Sequence, residues 1–157
     1  MYTSESATTT PDITIRSGDE RDVDNVLPLL VAYRQFYGLE SELPALRTFL
    51  LQRLQQRQAV LWLALLDGAM AGFALLYPGF STLSLQRRDL LHDLFVAPQA
   101  RGIGLGRMLL QAIQAAAPAG SSLFLETAHN NHTAQALYRQ TGFVADQHFG
   151  TWEWTSA

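Results

Sequence analysis

Apolar residues along the chain follow two different periods, and each change of period marks a new element. Ile13 and Ile15 alternate with polar residues, as in a strand with one buried face. Val23, Val26 and Leu30 recur at intervals of three and four residues, which predicts a helix. In chain order the pattern predicts a strand at 13–16, a helix between a cap at Asp19 and a stop at Gly38, a helix at 41–58, strands at 59–66 and 70–77, a loop or linker at 80–87, a strand at 89–96, a helix at 105–117, a strand at 121–127, a helix at 131–141 and one or two closing strands at 143–154.

This order predicts a single α/β (α+β) domain with a mixed central sheet of about six to seven strands flanked by about four helices. Asp67-Gly68 joins two apolar runs, as in the tight hairpin turn between antiparallel strands. The strand–helix–strand order at 89–127 instead requires a parallel pair. Residues 1–11 are polar and are expected to form a disordered tail, which leaves residues 12–157 for the folded domain.

The composition argues against several classes of function. The chain has no cysteine, which removes disulfides, cysteine-rich metal sites and a cysteine acyl-enzyme. Its four histidines lack the spacing of metal ligands, so we expect no metal site. The net charge of −3 argues against a nucleic-acid partner. No apolar run has the length of a membrane span and no signal peptide is apparent, so we expect a cytoplasmic protein without a membrane partner.

The segment at 93–107 carries the pattern that is most informative about function. An apolar run ends just before Pro98, which cannot donate to a strand ladder, and a helix-forming run follows. Between the two lies Arg101-Gly102-Ile103-Gly104-Leu105-Gly106-Arg107. Glycines let the backbone approach a ligand closely, and a helix N-terminus presents N–H groups and the positive end of its dipole. The segment therefore predicts a site for a phosphate or pyrophosphate.

Two known phosphate-binding loops and a turn without a ligand are alternatives for this segment. A Walker A loop needs a lysine after its last glycine, and the chain contains no lysine. A dinucleotide fingerprint needs G-x-G-x-x-G, and here Gly106 comes one residue early. The spacing in sequence between this loop and Glu126 suits a ribose contact. A nicotinamide cofactor therefore stays open as an alternative. A plain glycine-rich turn is the third possibility.

A second motif lies downstream and has the features of a capped helix. It reads Asn131-His132-Thr133-Ala134-Gln135-Ala136-Leu137-Tyr138-Arg139-Gln140-Thr141-Gly142-Phe143. The side-chain oxygen of Asn131 can accept a backbone N–H at the helix start. Leu137 and Tyr138 share one helical face with Ala134. Gly142 suits the left-handed turn that ends such a helix.

Together the two motifs resemble the signatures of the GNAT superfamily of N-acetyltransferases. The first is similar to the loop pattern Arg/Gln-x-x-Gly-x-Gly/Ala, and the second to N-x-x-A-x-x-L-Y-x-x-x-G-F. Within the superfamily the chain is most similar to the bacterial branch of polyamine and diamine acetyltransferases. The resemblance implies a GNAT-type fold from Asp12 onward and acetyl-CoA as acetyl donor, with coenzyme A as product. It also implies direct transfer to a primary amine in a ternary complex.

The same resemblance implies roles for individual residues. The loop residues that would bind acetyl-CoA are Arg101, Gly102, Ile103, Gly104, Leu105, Gly106 and Arg107, with backbone amides from Gly102 onward on the pyrophosphate. Phe95 and Val96 would pair with the pantetheine arm, and the Val96 N–H would face the thioester oxygen. Asn131 would contact the pantetheine or pyrophosphate. Tyr138 would protonate the departing thiolate, the alternative being a phenol that only packs.

Several residues are candidates for the base that deprotonates the amine. His92 matches the position of a carboxylate base in the polyamine branch when Arg101-Gly102 is the anchor, and histidine changes charge near neutral pH. Asp93 is expected on the opposite strand face unless a bulge intervenes. Glu126 and His129 are further candidates. His92 could also be a structural strand residue, with water removing the proton.

The acceptor and the oligomeric state are left open by the sequence. A small amine or polyamine is the first expectation. A protein amine (lysine or N-terminus) and a non-catalytic CoA-binding module are alternatives. Tyr33, Phe36 and Tyr37 on the first helix could pack in the core or line an acceptor pocket. Trp152 and Trp154 would share one strand face, in the core or at a subunit interface, and we expect a homodimer.

Overall fold

The computed structural model describes residues 10–156, and most of the predicted N-terminal tail lies outside the described residues. The chain divides into two compact units, one that ends at Glu126 and one that begins at Thr127. Within the described residues, no helix combines the length and apolar character needed to cross a bilayer.

The first unit alternates strands and helices in the predicted order. Its strands are β1 (Ile13–Gly18), β2 (Val60–Leu66), β3 (Ala69–Tyr77), β4 (Phe80–Ser81), β5 (Gln86–Val96) and β6 (Ser122–Phe124), and its helices are α1 (Val23–Phe36), α2 (Leu43–Gln55) and α3 (Leu105–Ala116). Short 3₁₀ turns precede α1 at Glu20–Asp22 and follow β5 at Pro98–Ala100. The observed α2 is shorter at both ends than the helix predicted at 41–58.

The strands form one mixed sheet, as the sequence predicted. The order β1-β2-β3-β5-β4 is antiparallel throughout, and β6 pairs in parallel with β5. The β2–β3 turn is the predicted hairpin, because Asp67 and Gly68 both have positive φ angles, of 50° and 78°. The parallel β5–β6 pair follows from the crossover through α3.

The core of this unit forms where apolar stripes of the helices meet the sheet. Val26 of α1, Phe73 of β3 and Leu109 of α3 are fully buried in one hydrophobic cluster. The 3₁₀ turn that leads into α1 begins with a capping box, in which the Asp19 side chain and the Asp22 side chain each accept a backbone N–H. The same hydrophobic cluster includes Phe95 of β5. It therefore holds the second half of this strand, where the candidate site lies.

Two sequence predictions were wrong. The segment at 80–87, predicted as a loop or linker, is a short hairpin in which Phe80 pairs with Arg87. Residues 143–154, predicted as one or two closing strands, contain no strand. Trp152 and Trp154 are therefore not on a shared strand face, and both side chains are almost fully exposed rather than in a core.

The second unit contains the capped helix that the second motif predicted. Helix α4 (His132–Gln140) begins after Asn131, whose Oδ1 accepts the Ala134 N–H at 3.2 Å. Gly142 follows the helix with a φ of 90°, as expected for a left-handed C-terminal turn. The Tyr138 ring makes an edge-to-face contact with Phe143 at 5.8 Å between centroids.

Close approach of β3 to β5 depends on a glycine, which gives a stability prediction. A Cβ at Gly72 would lie 2.9 Å from the backbone oxygen of Phe95. We expect Gly72→Ala to lower the free energy of unfolding by about 1–3 kcal/mol, because the two strands must move apart. Denaturant unfolding measures this change. Gly150→Ala, where an added Cβ meets no atom within 4 Å, is the control and should differ from the parent by less than about 0.5 kcal/mol.

Candidate functional site

The glycine-rich loop adopts a backbone conformation that few other residues tolerate. Gly102 and Gly104 have φ angles of 85° and 90°, in the left-handed region. A Cβ built at either residue would have no atom within 4 Å, so the space beside the loop is open. The two glycines therefore set the shape of the loop and leave room for a ligand against the backbone.

Helix α3 begins directly after this loop. Gly104 is the N-cap residue and has no side chain with which to cap the helix. The Met108 N–H donates to the Gly104 carbonyl at 3.0 Å, which is the first i to i−4 bond, so the N–H groups ahead of Met108 point out of the helix end. Leu105 has a buried side chain and can offer a ligand only its backbone. This geometry suits an anion.

One edge of β5 is open next to the loop. Strand β6 pairs only with Arg88 to Leu90, and no described strand pairs with that edge beyond Leu90. The Ala97 N–H donates to the Ala71 carbonyl of β3 at 2.8 Å. Because hydrogen bonding alternates along an antiparallel ladder, the N–H and C=O of Val96 face the open edge. An extended, amide-bearing ligand could pair with this edge.

Arg101 ties the loop to the end of β5. Its Nε donates to the Val96 carbonyl at 2.9 Å, and its guanidinium lies 5.6 Å from the Phe95 ring centroid. Arg101 thus uses one donor to position the loop and occupies the Val96 carbonyl. The N–H of Val96 is the donor that this residue can offer to a ligand.

A bulge in β5 brings His92 and Asp93 together. The register with β3 shifts between Leu75, opposite Asp93, and Leu76, opposite Leu91, which leaves His92 as the extra residue. The His92 Nδ1 lies 3.0 Å from Oδ1 of Asp93. A carboxylate only accepts, so Nδ1 carries the proton in this bond and Nε2 of a neutral ring is left as an acceptor. The His92 side chain is 57% exposed and that of Asp93 is 11% exposed.

Two tyrosines surround the buried Asp93 carboxylate. Burial is the main cause that raises the pKa of Tyr33, and the charge of Asp93 and a hydrogen bond with it add to the effect. Burial and then the Asp93 charge raise the pKa of Tyr77 to about 12. The Tyr77 ring also packs edge-to-face on His92 at 5.3 Å. Both phenols therefore stay protonated at neutral pH and can donate hydrogen bonds.

The remaining predicted residues have different surroundings. Asn131 and Tyr138 belong to the second unit, on α4 and its cap. Glu126 and His129 follow β6 and are exposed. Phe36 and Tyr37 are more than half exposed, whereas the Tyr33 ring packs edge-to-face on Phe73 and Phe95, so only Tyr33 joins the core.

Sequence reasoning missed two features of this site. It did not pair Asp93 with His92, because the bulge has no local signal. It did not place the Tyr33 hydroxyl beside Asp93, although the helical spacing did assign the Tyr33 ring.

Comparison with known proteins supplies independent information. A model of the Acetyltransferase (GNAT) family matches residues 26–143, which spans both units. The chain is 39% identical over 137 residues to an uncharacterized N-acetyltransferase, YhfO, of Bacillus subtilis, covering 86% of this chain and 92% of that protein. The crystal structure of a probable acetyltransferase has a TM-score of 0.84 at 35% identity, covering 92% of this chain and 98% of the other. An integron cassette protein from a salt-marsh metagenome has a TM-score of 0.78 at 25% identity, covering 91% of each chain.

Proposed function

Since the chain belongs to the GNAT family of acetyltransferases and has its single α/β domain, we propose that it transfers an acetyl group from acetyl-CoA to a small primary amine. The observation that supports this proposal best is the open edge of β5. At one end it meets the glycine-rich loop, and along it lies the bulge that carries His92 and Asp93. The proposed acetyl-CoA site and the proposed base thus lie along the same strand edge.

The residues around the loop fit acetyl-CoA. The left-handed glycines Gly102 and Gly104 leave the backbone open, and the first N–H groups of α3 suit a pyrophosphate. The Val96 N–H faces the open edge, where it would pair with an amide of the pantetheine arm or with the thioester oxygen. When bound, acetyl-CoA supplies the acetyl group as a thioester, which a neutral amine can attack.

His92 is the base in this proposal. An amine with a pKa near ~10 is protonated at neutral pH and must lose a proton before it attacks. The Nε2 of His92 would accept that proton, while Asp93 accepts the Nδ1–H and stabilises the charged ring. The Tyr77 ring packs on His92, and the Tyr33 hydroxyl bonds to Asp93, so both tyrosines help to hold the pair. Asp93 is therefore a positioning residue.

Tyr138 is the proton donor for the thiolate in this proposal. Its role rests on the motif around it, N-x-x-A-x-x-L-Y-x-x-x-G-F, which the structure shows as a capped helix. The Asn131 Oδ1 accepts the cap hydrogen bond, and its amide N–H groups are the donors that it can offer to the pantetheine or pyrophosphate. A direct transfer in a ternary complex needs no acyl-enzyme, in keeping with a chain that has no cysteine.

Release of the coenzyme A thiol tests this function. The protein is incubated with acetyl-CoA and a panel of amines: monoamines, diamines, polyamines, amino acids, a lysine peptide and a peptide with a free N-terminus. We expect amine-dependent thiol release with at least one small amine. Release with peptides alone would favour a protein acetyltransferase. Binding of acetyl-CoA without release for any amine would indicate a non-catalytic module. A larger thermal shift with NAD than with coenzyme A would favour the nicotinamide alternative.

Gly104→Val gives a prediction about the donor site. A β-branched side chain is strained at a φ of 90°, so the loop must change shape, and its bulk enters the open space. We expect the affinity for acetyl-CoA to fall by about tenfold or more, measured by calorimetric titration. Gly68→Val carries the same strain in the β2–β3 turn and serves as the control. Unchanged affinity of a folded Gly104→Val protein would exclude the loop as the donor site.

We also propose that two copies of the chain form a homodimer. Trp152 and Trp154 expose nearly all of their side chains, and tryptophan is enriched in subunit interfaces. Light scattering on the protein in solution measures its mass. A mass of one chain at micromolar concentration would contradict this part.

A further inference from the structure

A side chain of the protein itself caps part of the open edge of β5. The Arg101 Nε–H donates to the Val96 carbonyl at 2.9 Å. This carbonyl faces the open edge, because the N–H of the next residue, Ala97, is the group that bonds to β3. The donor is charged, so the bond is stronger than one between neutral groups. One acceptor on this edge is thus occupied by the protein's own guanidinium.

An aromatic ring supports the Arg101 guanidinium in this position. The guanidinium carbon lies 5.6 Å from the Phe95 ring centroid, within the range of a cation–π contact. The Phe95 side chain is buried, and its ring centroid lies 5.9 Å from that of Tyr33 and 6.3 Å from that of Phe73. The guanidinium therefore rests on a fixed surface, which favours this position over the others open to an exposed side chain.

The capped carbonyl is one that the pantetheine arm would use. A peptide-like arm that pairs with a strand edge bonds to both N–H and C=O groups of that strand. Beyond Leu90, where the pairing with β6 ends, Leu94 and Val96 are expected to direct these groups outward by the alternation of the ladder with β3. An amide N–H of the arm and the Arg101 side chain therefore compete for the same Val96 carbonyl.

Arg101 also lies next to the proposed phosphate site. It directly precedes Gly102, where the backbone amides that suit a pyrophosphate begin, and it is exposed. A planar guanidinium matches phosphate oxygens in shape and charge. An acetyl donor that carries phosphates can thus offer Arg101 a stronger partner than the carbonyl. A donor without phosphates cannot.

We propose that Arg101 exchanges the Val96 carbonyl for a phosphate of acetyl-CoA, and that this exchange selects CoA thioesters over pantetheine thioesters that lack phosphates. The inference rests on the proposed acetyltransferase function and specifies its acetyl donor. With a CoA thioester, the lost bond is replaced at both ends: an amide N–H of the arm donates to the carbonyl, and a phosphate accepts from the guanidinium. A pantetheine thioester must displace a charged donor and gives it no anion in return.

The test compares ligands that share the pantetheine arm. Coenzyme A is titrated by calorimetry, and pantetheine is titrated by NMR on the Val96 amide resonance, which suits weak binding. Arg101→Met keeps a long side chain against Phe95 but has no donor. We expect it to bind coenzyme A about 10- to 100-fold more weakly, as for a lost hydrogen bond to a charged group. Pantetheine should bind about three- to tenfold more tightly, because the carbonyl is free.

A third ligand separates the phosphates from the nucleotide. Phosphopantetheine has the arm and a phosphate but no nucleotide. If Arg101 pairs with a phosphate, Arg101→Met should bind phosphopantetheine more weakly than the parent protein does, in the same direction as coenzyme A. A gain for phosphopantetheine equal to that for pantetheine would contradict the exchange.

Two further variants separate the exchange from effects on folding and charge. Arg88 has the same kind of ring contact, 4.5 Å from the Phe124 ring centroid, but lies where β5 pairs with β6. Arg88→Gln should therefore leave both affinities within about twofold of the parent. Arg101→Lys keeps a charged donor, so pantetheine should gain nothing and coenzyme A should lose less than in Arg101→Met. Thermal unfolding confirms that each variant is folded.

Three results for Arg101→Met overturn the inference. Equal weakening of coenzyme A and pantetheine would mean that Arg101 only shapes the loop. Weaker coenzyme A with no gain for pantetheine would mean that Arg101 is a phosphate ligand and not a competitor for the edge. Unchanged coenzyme A would exclude the phosphate contact. In each case coenzyme A still binds the parent protein, and the acetyltransferase function stands. Failure of both acetyl-CoA and coenzyme A to bind the parent protein would instead refute that function.

Discussion

Replacing Tyr138 with phenylalanine should lower turnover by about 10²-fold or more while acetyl-CoA binds with near-normal affinity. The change keeps the ring, and therefore the edge-to-face contact with Phe143, and removes only the hydroxyl. A thiolate that leaves without a proton donor is a poorer leaving group, so the loss should appear in kcat. Steady-state thiol release at saturating substrates measures turnover, and calorimetric titration measures binding.

The matched control is Tyr37→Phe, which makes the same chemical change at a residue that is 54% exposed. It should have nearly parental turnover. If Tyr138→Phe has the same kcat as the parent protein, the phenol only packs and another group protonates the thiolate. A joint loss of turnover, acetyl-CoA affinity and thermal stability would point to a structural role for α4 instead.

The parts of the site that local chemistry determines were predicted from the sequence. Pro98 and the glycines at 102 and 104 act within a few residues of their own position, and the loop and α3 are found where they were predicted. The Asn131 cap and the Gly142 turn are local in the same sense. Each depends on a single residue type with a specific backbone preference.

The His92–Asp93 pair could not be predicted, because it depends on register. Strand alternation put the two side chains on opposite faces, and the sequence analysis named a bulge as the exception. The bulge is set by how β5 matches β3 between Leu75 and Leu76, which is a property of two strands rather than one. The short strand β4 was missed for a related reason, since its two residues are too few to show a period.

The wrong prediction of closing strands has a different cause. Alternation at 143–154 indicates which side chains would share a face if the segment were extended and paired. It does not indicate whether a sheet edge is available, and a strand exists only when its backbone groups bond to a neighbour.

His92→Gln should flatten the acid limb of the rate–pH profile and lower the rate at the optimum by about 10²-fold. An imidazole must be neutral to accept a proton, so the parent rate falls as decreasing pH protonates the ring. Glutamine does not titrate, and its side chain is close in length. The hydrogen bond to Asp93 predicts a second effect, which strand alternation alone did not predict. Asp93→Asn should also lower the rate, because an amide no longer requires Nδ1 to carry the proton.

The acceptor amine titrates as well, so the measurement needs acceptors of different amine pKa. If His92 is the base, one limb stays at the same pH for all acceptors and disappears in His92→Gln, while a second limb follows the acceptor. Asp93→Asn should retain the first limb at a lower rate, since the histidine is still present but less well oriented. A profile whose only limb follows the amine and is the same in His92→Gln would mean that water removes the proton. In that case the bulge in β5 would serve packing, with Tyr33 and Tyr77 closed around a structural carboxylate.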